Sequence, residues 1–374
     1  MNIVHVAPPF LALDENLQYG GIERIINMLR YKQQQLDIPT FVLAPSDSTV
    51  AGLIPTVPSI GIDEIYAPLT GQDKVRQSKW AILNHVVKVI EYARSSNEEK
   101  KLFHVHDDYL LPFLPQILGK PYLFSAYNHY PDFWQTEEHP DVAKDVRNIV
   151  AVSEAHKRNL ESHGFSIHAV VYNGIEPKDF PFSDQKDNFL LSLGVIAPHK
   201  GQKLAVEIAQ ESAQNLIIAG NIGDNAYFDK FIKPYVTFDL STESDKLAAY
   251  NSLTQKQGII YVGSVNDTQK KPLFKKAKAF LMPTLCEDPC PAVPIESLVC
   301  GTPVIALANG SLPEMIVDGK TGFLCQDITQ MVQSLSFLPH LNPSDCRADV
   351  EKRFSLDKMA RDYLKLYQEL ITSP

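Results

Sequence analysis

The sequence is poor in the features that mark secreted and membrane-spanning proteins. It has five cysteines in 374 residues, an odd number, and all lie in the last quarter of the chain, from Cys286 to Cys346. That distribution is not a disulfide framework, so we expect reduced thiols and a cytoplasmic location. Cys286 and Cys290 have the spacing of half a zinc site, but no second pair follows. No stretch approaches the roughly 18 consecutive apolar residues of a membrane span, and the N-terminus does not have the pattern of a signal peptide.

Positive charge is also scarce. The chain has 35 Lys and Arg against 44 Asp and Glu, a net charge of −9, and no basic block. Because nucleic-acid affinity rests largely on neutralising phosphates, we expect no nucleic-acid partner. One small basic group, Lys74, Arg76 and Lys79 beside Trp80, leaves peripheral association with the inner face of a membrane open.

What is present is an ordinary globular composition with a regular alternation of patterns. Hydrophobic residues make up 44% and charged residues 21%, which is typical of folded proteins. At roughly 150 residues per domain, the length favours two domains. Residues 2–7 and 41–44 have the pattern of buried strands, and Ile22, Ile26 and Leu29 between them share one face of a helix. This alternation continues to residue 172 and predicts a mostly parallel sheet covered on both faces.

The alternation then begins again after a polar segment. Residues 177–188 are polar and contain two prolines, and a second series of strand-like runs starts at residues 189–193. We therefore predict an α/β fold with two doubly wound domains that face a cleft. The N-terminal domain comprises residues 1–178 and the C-terminal domain residues 179–354, and residues 355–374 contain a last helix.

Two loops in equivalent places have a chemical signature. Tyr19-Gly20-Gly21 precedes the first helix, and glycines before a helix start allow an anion to approach the free N–H groups. Residues 194–201, with the sequence GVIAPHKG, follow the first strand of the second series and place Lys200 just before a helix. A lysine there can offer a point charge to a diphosphate. A flexible turn and a solvated surface lysine are the alternatives, and the spacing is not that of a P-loop.

A third loop carries two carboxylates. Asp288 follows the strand-like run 279–282, and Glu296 lies about one turn into a helix that we start near Ala292. Carboxylates accept hydrogen bonds from sugar hydroxyls, and the helix start offers N–H groups to anionic oxygens. The alternative is that each acid only offsets a helix dipole. A fourth loop, residues 310–314, either closes over a phosphate or sugar or is an ordinary helix start.

Together these segments resemble a retaining glycosyltransferase of the GT-B type, family 4. The resemblance spans nearly the whole chain and is most specific over residues 295–306. The matching segments, in order, are residues 19–23, 150–154 (VAVSE), 171–180 (VYNGIEPKDF), 193–201, 217–220, 260–265, 288–306 and 310–324.

The resemblance implies two Rossmann-like domains, with the nucleotide-sugar held mainly by the second and the last helix crossing back to the N-terminal domain. It implies that Glu296 bonds the ribose hydroxyls, that Asp288 lies near the donor sugar and that Lys200 neutralises the diphosphate. Backbone at residues 263–265 would face the base, and no metal is needed, because lysine and helix N-termini carry the leaving-group charge. The donor-binding residues that it implies are Gly20, Gly21, Gly194, Val265, Glu287, Ala292, Val293 and Glu296.

The sequence departs from the family pattern at three positions. Val195 stands where the family usually has an arginine, so one of two cations on the diphosphate is missing, with His199 and Arg24 as candidate replacements. Asp288 stands where the family has a glutamate, and Glu287 could substitute after a small loop shift. The family often has a histidine where this chain has Tyr127, and we predict that His129, two residues on, lines the cleft instead. His104 and His106 have the pattern of core histidines.

The sequence therefore predicts a metal-independent, retaining glycosyltransferase with Lys200, Asp288 and His129 as catalytic residues. Its partners would be a nucleoside-diphosphate-sugar and an acceptor hydroxyl on a glycan, lipid or small molecule. The main alternative is a catalytically silent subunit of the same fold that binds or scaffolds. A sugar-nucleotide epimerase and a two-lobed solute-binding protein are more distant alternatives. The donor base and sugar, the acceptor and the oligomeric state have no signal in the sequence.

Overall fold

The chain divides into two units. The computed structural model describes residues 1–15, 17, 20–61, 72–95, 101–114, 121–128, 146–253 and 257–372, except the side chains of residues 72–77. Unit 1 comprises Met1–Gly174 and Leu356–Pro374, and unit 2 comprises Ile175–Ser355. The divisions thus follow residues 174 and 355, against the predicted 178 and 354.

Unit 1 is built on a parallel sheet of seven strands. The strands are β1 (Asn2–Val6), β2 (Thr40–Ala44), β3 (Leu53–Pro55), β4 (Lys101–Val105), β5 (Tyr122–Ser125), β6 (Ile149–Ala151) and β7 (Ile167–Val170), in the spatial order β3-β2-β1-β4-β5-β6-β7. The helices before the division are α1 (Gly21–Gln35), α2 (Gln72–Ser95) and α3 (Glu154–Ser162). Strand β4 is buried at all five positions, which is why its sequence shows no alternation of polar and apolar residues.

Unit 2 repeats the plan with a second parallel sheet of seven strands. They are β8 (Leu190–Leu193), β9 (Leu216–Ala219), β10 (Val236–Asp239), β11 (Ile259–Tyr261), β12 (Ala279–Met282), β13 (Val304–Leu307) and β14 (Gly322–Cys325), in the order β10-β11-β9-β8-β12-β13-β14. The helices are α4 (Gln202–Glu211), α5 (Asn225–Phe231), α6 (Lys246–Ser252), α7 (Asp267–Lys276), α8 (Ala292–Val299), α9 (Leu312–Met315), α10 (Ile328–Ser334) and α11 (Pro343–Arg353). These two doubly wound, Rossmann-like α/β units confirm the predicted fold class.

The strand order fixes where a ligand can enter each unit. In unit 1 the order reverses between β1 and β4, and in unit 2 it reverses between β8 and β12. At such a switch point the two neighbouring strands send their following loops in opposite directions, which opens a crevice at the carboxyl edge of the sheet. In unit 2 the loops after β8 and β12 are the ones that carry Lys200 and Asp288.

The last helix, α12 (Leu356–Thr372), belongs to unit 1 although its sequence follows unit 2. Its buried face includes Met359, Tyr363 and Tyr367, which pack in one apolar cluster with Ile3 and Leu29. The helix therefore covers the face of the first sheet that α1 also covers. Among the described residues, every helix is too short or too polar to cross a membrane.

Candidate functional site

A glycine brings the two loops of the unit 2 crevice together. Pro198–Lys200 forms a short 3-10 turn after β8, and Gly201 follows it with a φ of 73°. A Cβ at Gly201 would lie 1.9 Å from the carbonyl oxygen of Pro283, the residue after β12. Only glycine permits both the left-handed conformation and this approach of two backbones. The loop that bears Lys200 is thereby held against the end of β12.

Hydrogen bonds then fasten the two loops to each other. The His199 carbonyl accepts from the backbone N–H of Leu285 at 2.8 Å and from the Thr284 hydroxyl at 3.2 Å. On the β8 side, the buried Gln202 donates its amide to the Val195 carbonyl at 2.8 Å. Because these contacts join backbones on both sides, the position of Lys200 relative to Asp288 is fixed by the fold.

Lys200 and Asp288 form an ion pair in this crevice. Lys200 Nζ lies 2.7 Å from Asp288 Oδ2, and the side chains are 26% and 21% exposed. The thiol of Cys286 lies beside both, with Sγ 3.9 Å from the ammonium nitrogen. The predicted cation and the predicted acid thus meet at a place that solvent and a ligand can reach.

The loop at residues 310–314 supports Asp288 from behind. The Ser311 hydroxyl donates to the Asp288 carbonyl at 2.9 Å, and the Ser311 backbone N–H donates to the same oxygen at 3.2 Å. Gly310 has a φ of 54°, and a Cβ there would lie within 2.9 Å of the backbone of Glu287 and Asp288. The loop at residues 310–314 therefore packs against the backbone of Glu287 and Asp288 and helps to hold Asp288 in place.

Glu296 lies in the second turn of α8 and is 2% exposed. Its Oε1 accepts from Lys270 Nζ at 2.7 Å, and the same nitrogen lies 2.9 Å from Asp267 Oδ1. Within the described part of the chain, Glu296 Oε2 is buried without a hydrogen-bond partner. The carboxylate is therefore neutralised on one oxygen and has an unused acceptor on the other.

The first turn of α8 has uncapped backbone N–H groups beside the loop that contains Glu287 and Asp288. Its N-cap residue is Pro291, no side chain caps the helix, and its first turn holds no acidic residue. Ala292 is exposed, Val293 is half-buried, and Glu287 in the preceding loop is exposed. Backbone N–H groups at an uncapped helix start are suited to anionic or hydroxyl oxygens.

The remaining donor-side positions line the ends of neighbouring strands. Gly194, directly after β8, would place a Cβ in open space, whereas a Cβ at Gly220 would lie 1.8 Å from the Gly194 carbonyl oxygen. Val195, in the position of the usual arginine, is half-buried, and its Cγ2 would lie 2.7 Å from a Cβ at Gly223. Val265 is half-buried four residues after β11. His199, one candidate replacement cation, is exposed.

In unit 1 the glycine pair lies at the start of α1 as predicted. Gly20 has a φ of 101°, and a Cβ there would lie 2.8 Å from Glu23 Oε2, whereas a Cβ at Gly21 would meet nothing within 4 Å. Burial raises the pKa of the Glu23 carboxyl. The space beside Gly21 is therefore open, whereas the carboxylate of Glu23, in the first turn of α1, lies beside Gly20. Tyr19 and the predicted His129 lie outside the described residues.

Tyr127, the residue in the family's histidine position, is joined to a buried histidine cluster. Its hydroxyl lies 2.8 Å from His106 Nδ1, and His106 Nε2 lies 3.0 Å from His5 Nδ1. His5 Nε2 lies 2.8 Å from Gln33 Oε1. An amide oxygen only accepts, so Nε2 of His5 carries a proton, its Nδ1 accepts from His106, and the Tyr127 hydroxyl donates to His106.

The cluster continues to the last helix. The Gln33 amide donates to the Tyr367 hydroxyl at 3.2 Å, and that hydroxyl lies 2.7 Å from His104 Nδ1. His104 Nε2 lies 2.8 Å from Ser125 Oγ, which in turn contacts the Tyr363 hydroxyl at 2.8 Å. Burial lowers the pKa of all three histidines, that of His5 to about 3.

The three histidines have the grouping of a metal site, with ligand atoms within 4.8 Å of one another. Each ring nitrogen of His5, His104 and His106 already has a protein partner in the contacts above. Binding an ion would break several of those hydrogen bonds in a fully buried place. The donor set therefore fits a neutral hydrogen-bond network that ties α12 to the sheet.

Sequence reasoning missed the contacts that support the site, including that of Ser311 in the loop 310–314, and it missed the residues Lys270 and Gln202. Lys270 is 26 residues from Glu296, and Ser311 is 23 residues from the carbonyl that it contacts. No local pattern joins such pairs. For Lys270 the available signal was a lysine on the same helix as Asp267, at the spacing of one turn. For Gln202 the available sequence signal was a polar residue at the start of a helix face that is otherwise apolar.

The C-terminal unit matches a known family. Residues 176–338 match the model of the glycosyl transferases group 1 family. The matched segment contains Lys200, Asp288 and Glu296. An uncharacterized glycosyltransferase of Methanocaldococcus jannaschii is 24% identical over 229 residues, which are 59% of this chain and 59% of that protein. The matched region thus spans about three fifths of that relative's length.

Solved structures share the whole fold. The sucrose-phosphate synthase of Thermosynechococcus elongatus aligns over 100% of both chains with a TM-score of 0.70 and 15% identity. The Anabaena protein HepE, solved in complex with UDP-glucose, aligns over 99% of this chain and 100% of its own, with a TM-score of 0.64 and 14% identity. At these identities the likeness establishes the fold, and it agrees with the predicted GT-B class.

Proposed function

We propose that this chain is a retaining glycosyltransferase of family 4 that moves a sugar from a nucleoside-diphosphate-sugar to an acceptor hydroxyl and needs no metal. One observation carries the proposal. At the switch point of the unit 2 sheet, an accessible Lys200–Asp288 ion pair lies in loops that meet the uncapped start of α8, whose second turn holds the buried Glu296. A diphosphate, a sugar and a ribose present the groups that these side chains bind.

Each part of the donor has a partner of matching chemistry. Lys200 supplies positive charge to the diphosphate, and the first N–H groups of α8 supply hydrogen bonds. Asp288 accepts from hydroxyls of the donor sugar, and Oε2 of Glu296, which has no hydrogen-bond partner among the described residues, accepts from the ribose. The family match of residues 176–338 and the UDP-glucose complex of HepE support this class of donor.

The reaction exchanges one bond at the anomeric carbon for another. The bond from that carbon to the diphosphate oxygen breaks, and the electron pair leaves with the diphosphate. The acceptor oxygen forms the new bond on the same face, and its proton passes to the departing phosphate oxygen. Lys200 and the α8 N-terminus stabilise the charge that develops on the leaving group, so positioning and electrostatics supply the rate. Since these groups are the protein's own, the proposal requires no metal.

Titration calorimetry with UDP, GDP and ADP, each with magnesium and with EDTA, tests the proposal. We expect one nucleotide to bind equally well under both conditions. Glu296→Gln should weaken that binding, and Glu207→Gln, at a half-buried acid on α4 that pairs with Lys203, should leave it unchanged. No binding of any of the three nucleotides contradicts the proposal, and binding that requires magnesium contradicts its metal-independent part.

A second measurement separates catalysis from binding alone. The sugar donors of the nucleotide that binds are incubated without acceptor, and proton NMR follows the free sugar. We expect slow hydrolysis whose first-formed anomer is that of the donor. Binding without any hydrolysis favours the silent binding subunit, and a change of sugar stereochemistry favours the epimerase.

A further inference from the structure

Lys270 is the second charged residue of the Glu296 site, and no sequence motif points to it. The lysine lies on α7 and is 8% exposed, which is unusual because a buried ammonium must be compensated. Two carboxylates compensate it, Glu296 at 2.7 Å and Asp267 at 2.9 Å. The three side chains form a charged triad whose members come from two helices.

The two oxygens of the Glu296 carboxylate differ in their contacts, which an ion pair with a purely structural role does not require. Lys270 occupies Oε1 of Glu296, while Oε2 of the same carboxylate is buried without a partner within the described residues. A buried acceptor without a hydrogen bond destabilises the protein, because it has lost its hydrogen bonds to water. Such a cost is recovered when a ligand hydroxyl donates to that oxygen. Oε2 of Glu296 is thus available to a ligand, and the contact of Lys270 with Oε1 fixes its direction.

We propose that Lys270 is a positioning residue for ribose recognition: by holding Oε1 of Glu296, it directs Oε2 toward the ribose hydroxyls and so discriminates ribonucleotides from deoxyribonucleotides. The inference rests on the proposed function, because it takes Glu296 as the ribose ligand. Asp267 holds the Lys270 ammonium from its other side, so that the lysine cannot turn away from Glu296.

The experiment compares a ribonucleotide with its 2′-deoxy analogue on the full chain. The nucleoside diphosphate that binds the wild type and its deoxy form are each titrated by calorimetry, and the ratio of the two Kd values is the readout. We expect the wild type to favour the ribonucleotide about tenfold, and Lys270→Met and Glu296→Gln each to bring the ratio close to one. A tenfold ratio corresponds to about 1.4 kcal/mol. Because the two residues act as one unit, the double variant should lose no more preference than either single variant.

Lys271→Met is the matched control. Lys271 is the neighbouring residue on the same helix, and its ammonium lies 4.8 Å from the centre of the Phe180 ring. Its removal takes away the same charge but touches neither Glu296 nor Asp267, so the ratio should keep its wild-type value. Lys270→Arg keeps a cation between the two carboxylates and should retain most of the preference.

Three results overturn the inference. One is a folded Lys270→Met variant that binds both nucleotides with wild-type affinity. Another is equal weakening of the ribonucleotide and the deoxyribonucleotide, which assigns Lys270 to the base, the phosphates or the fold. If Lys270→Met leaves Glu296 unpaired and does not fold, Lys270→Gln takes its place, and an unchanged ratio in that variant also overturns it. Failure of the wild type to bind any nucleotide contradicts the proposed function itself and is recognised before the variants are made.

Discussion

Lys200 Nζ lies 2.7 Å from Asp288 Oδ2, across the two loops that follow neighbouring strands of the second sheet. Each side chain thus neutralises the charge of the other, and both stay partly exposed. The pair is positioned by backbone contacts, above all by Gly201 against Pro283, and not by the two side chains themselves. Under the proposed function, a diphosphate entering the crevice would meet a lysine whose position is already set, which lowers the entropic cost of ordering that side chain.

Removal of the lysine should act on turnover more than on the fold. We expect Lys200→Ala to lower turnover of the donor by about a hundredfold to a thousandfold, since it removes charge stabilisation of the leaving group. Lys203→Ala is the control, because Lys203 lies three residues on and pairs with Glu207 at 3.4 Å. The measurement is release of free sugar under saturating donor. Equal turnover in a well-folded Lys200→Ala variant excludes the lysine from the reaction.

Restoring the missing cation should tighten donor binding. Val195 is half-buried at the loop start where the family usually has an arginine. A charged hydrogen bond contributes about 1.5–3 kcal/mol, so Val195→Arg should lower the Kd of the bound nucleoside diphosphate about tenfold or more. Val195→Met gives a long side chain without charge and should produce no gain. Calorimetry that finds Val195→Arg no tighter than Val195→Met indicates that another group already serves the diphosphate.

The parts of the molecule that the sequence predicted are those decided by neighbouring residues. Strands β4 (KLFHV) and β8 (LLSL) are mostly apolar and do not alternate, because both sheet faces are covered, and the Gly-bounded loop before α4 placed Lys200 at a strand end. The order of strands then brings Lys200 and Asp288 together, because both follow strands beside the switch point. The pairing of these two residues needed the topology as well as the motif.

Contacts between distant segments could not be predicted in this way. Lys270 and Glu296 are joined by a helix–helix contact, and Ser125 meets Tyr363 across 238 residues of sequence. Each is polar and buried, a combination that single-residue patterns assign to the surface. Only the three-dimensional structure shows that hydrogen bonds to distant residues replace the bonds to water that these buried side chains lose.

The contact between Gly201 and Pro283 should be visible in stability. Gly201→Ala combines a left-handed conformation with a Cβ 1.9 Å from a carbonyl oxygen. Gly319 has nearly the same φ, 70°, but a Cβ there meets nothing within 4 Å, so Gly319→Ala carries the conformational penalty alone. We expect Gly201→Ala to be less stable than Gly319→Ala by about 1–3 kcal/mol in calorimetric unfolding. Equal stability of the two variants means that the loops can separate at little cost.

The network under α12 should stabilise unit 1. Tyr367→Phe removes the hydroxyl that accepts from Gln33 and is hydrogen-bonded to His104, and it leaves both without that partner. An unsatisfied buried group costs about 1–3 kcal/mol. The tryptophan among the described residues, Trp80, lies on α2 of unit 1, so tryptophan fluorescence in urea reports on this unit. Tyr31→Phe, at an exposed position on α1, is the control and should unfold like the wild type. A Tyr367→Phe variant as stable as this control would show that the network adds nothing to stability.

The same network predicts a pH dependence whose sign follows from burial. Burial lowers the pKa of His5 to about 3, whereas the unfolded chain takes up that proton near 6.5. Between these values the unfolded state binds more protons, so the stability due to His5 is present above pH 6.5 and is lost as the pH falls. His5→Gln, in which this loss is absent, should be destabilised at pH 7.5.

That deficit should shrink by about 1.4 kcal/mol for each pH unit below 6.5. Comparing variant with wild type cancels titrating groups that do not interact with His5, such as Asp107, whose pKa burial raises to about 8. Urea unfolding followed by tryptophan fluorescence at pH 7.5, 6 and 5 provides the test. Leu29→Ala, a fully buried position in the same unit that does not titrate, should show a constant deficit across this range. If the deficit of His5→Gln is equally constant, His5 is not held neutral by the fold, and the proton order derived for the network is wrong.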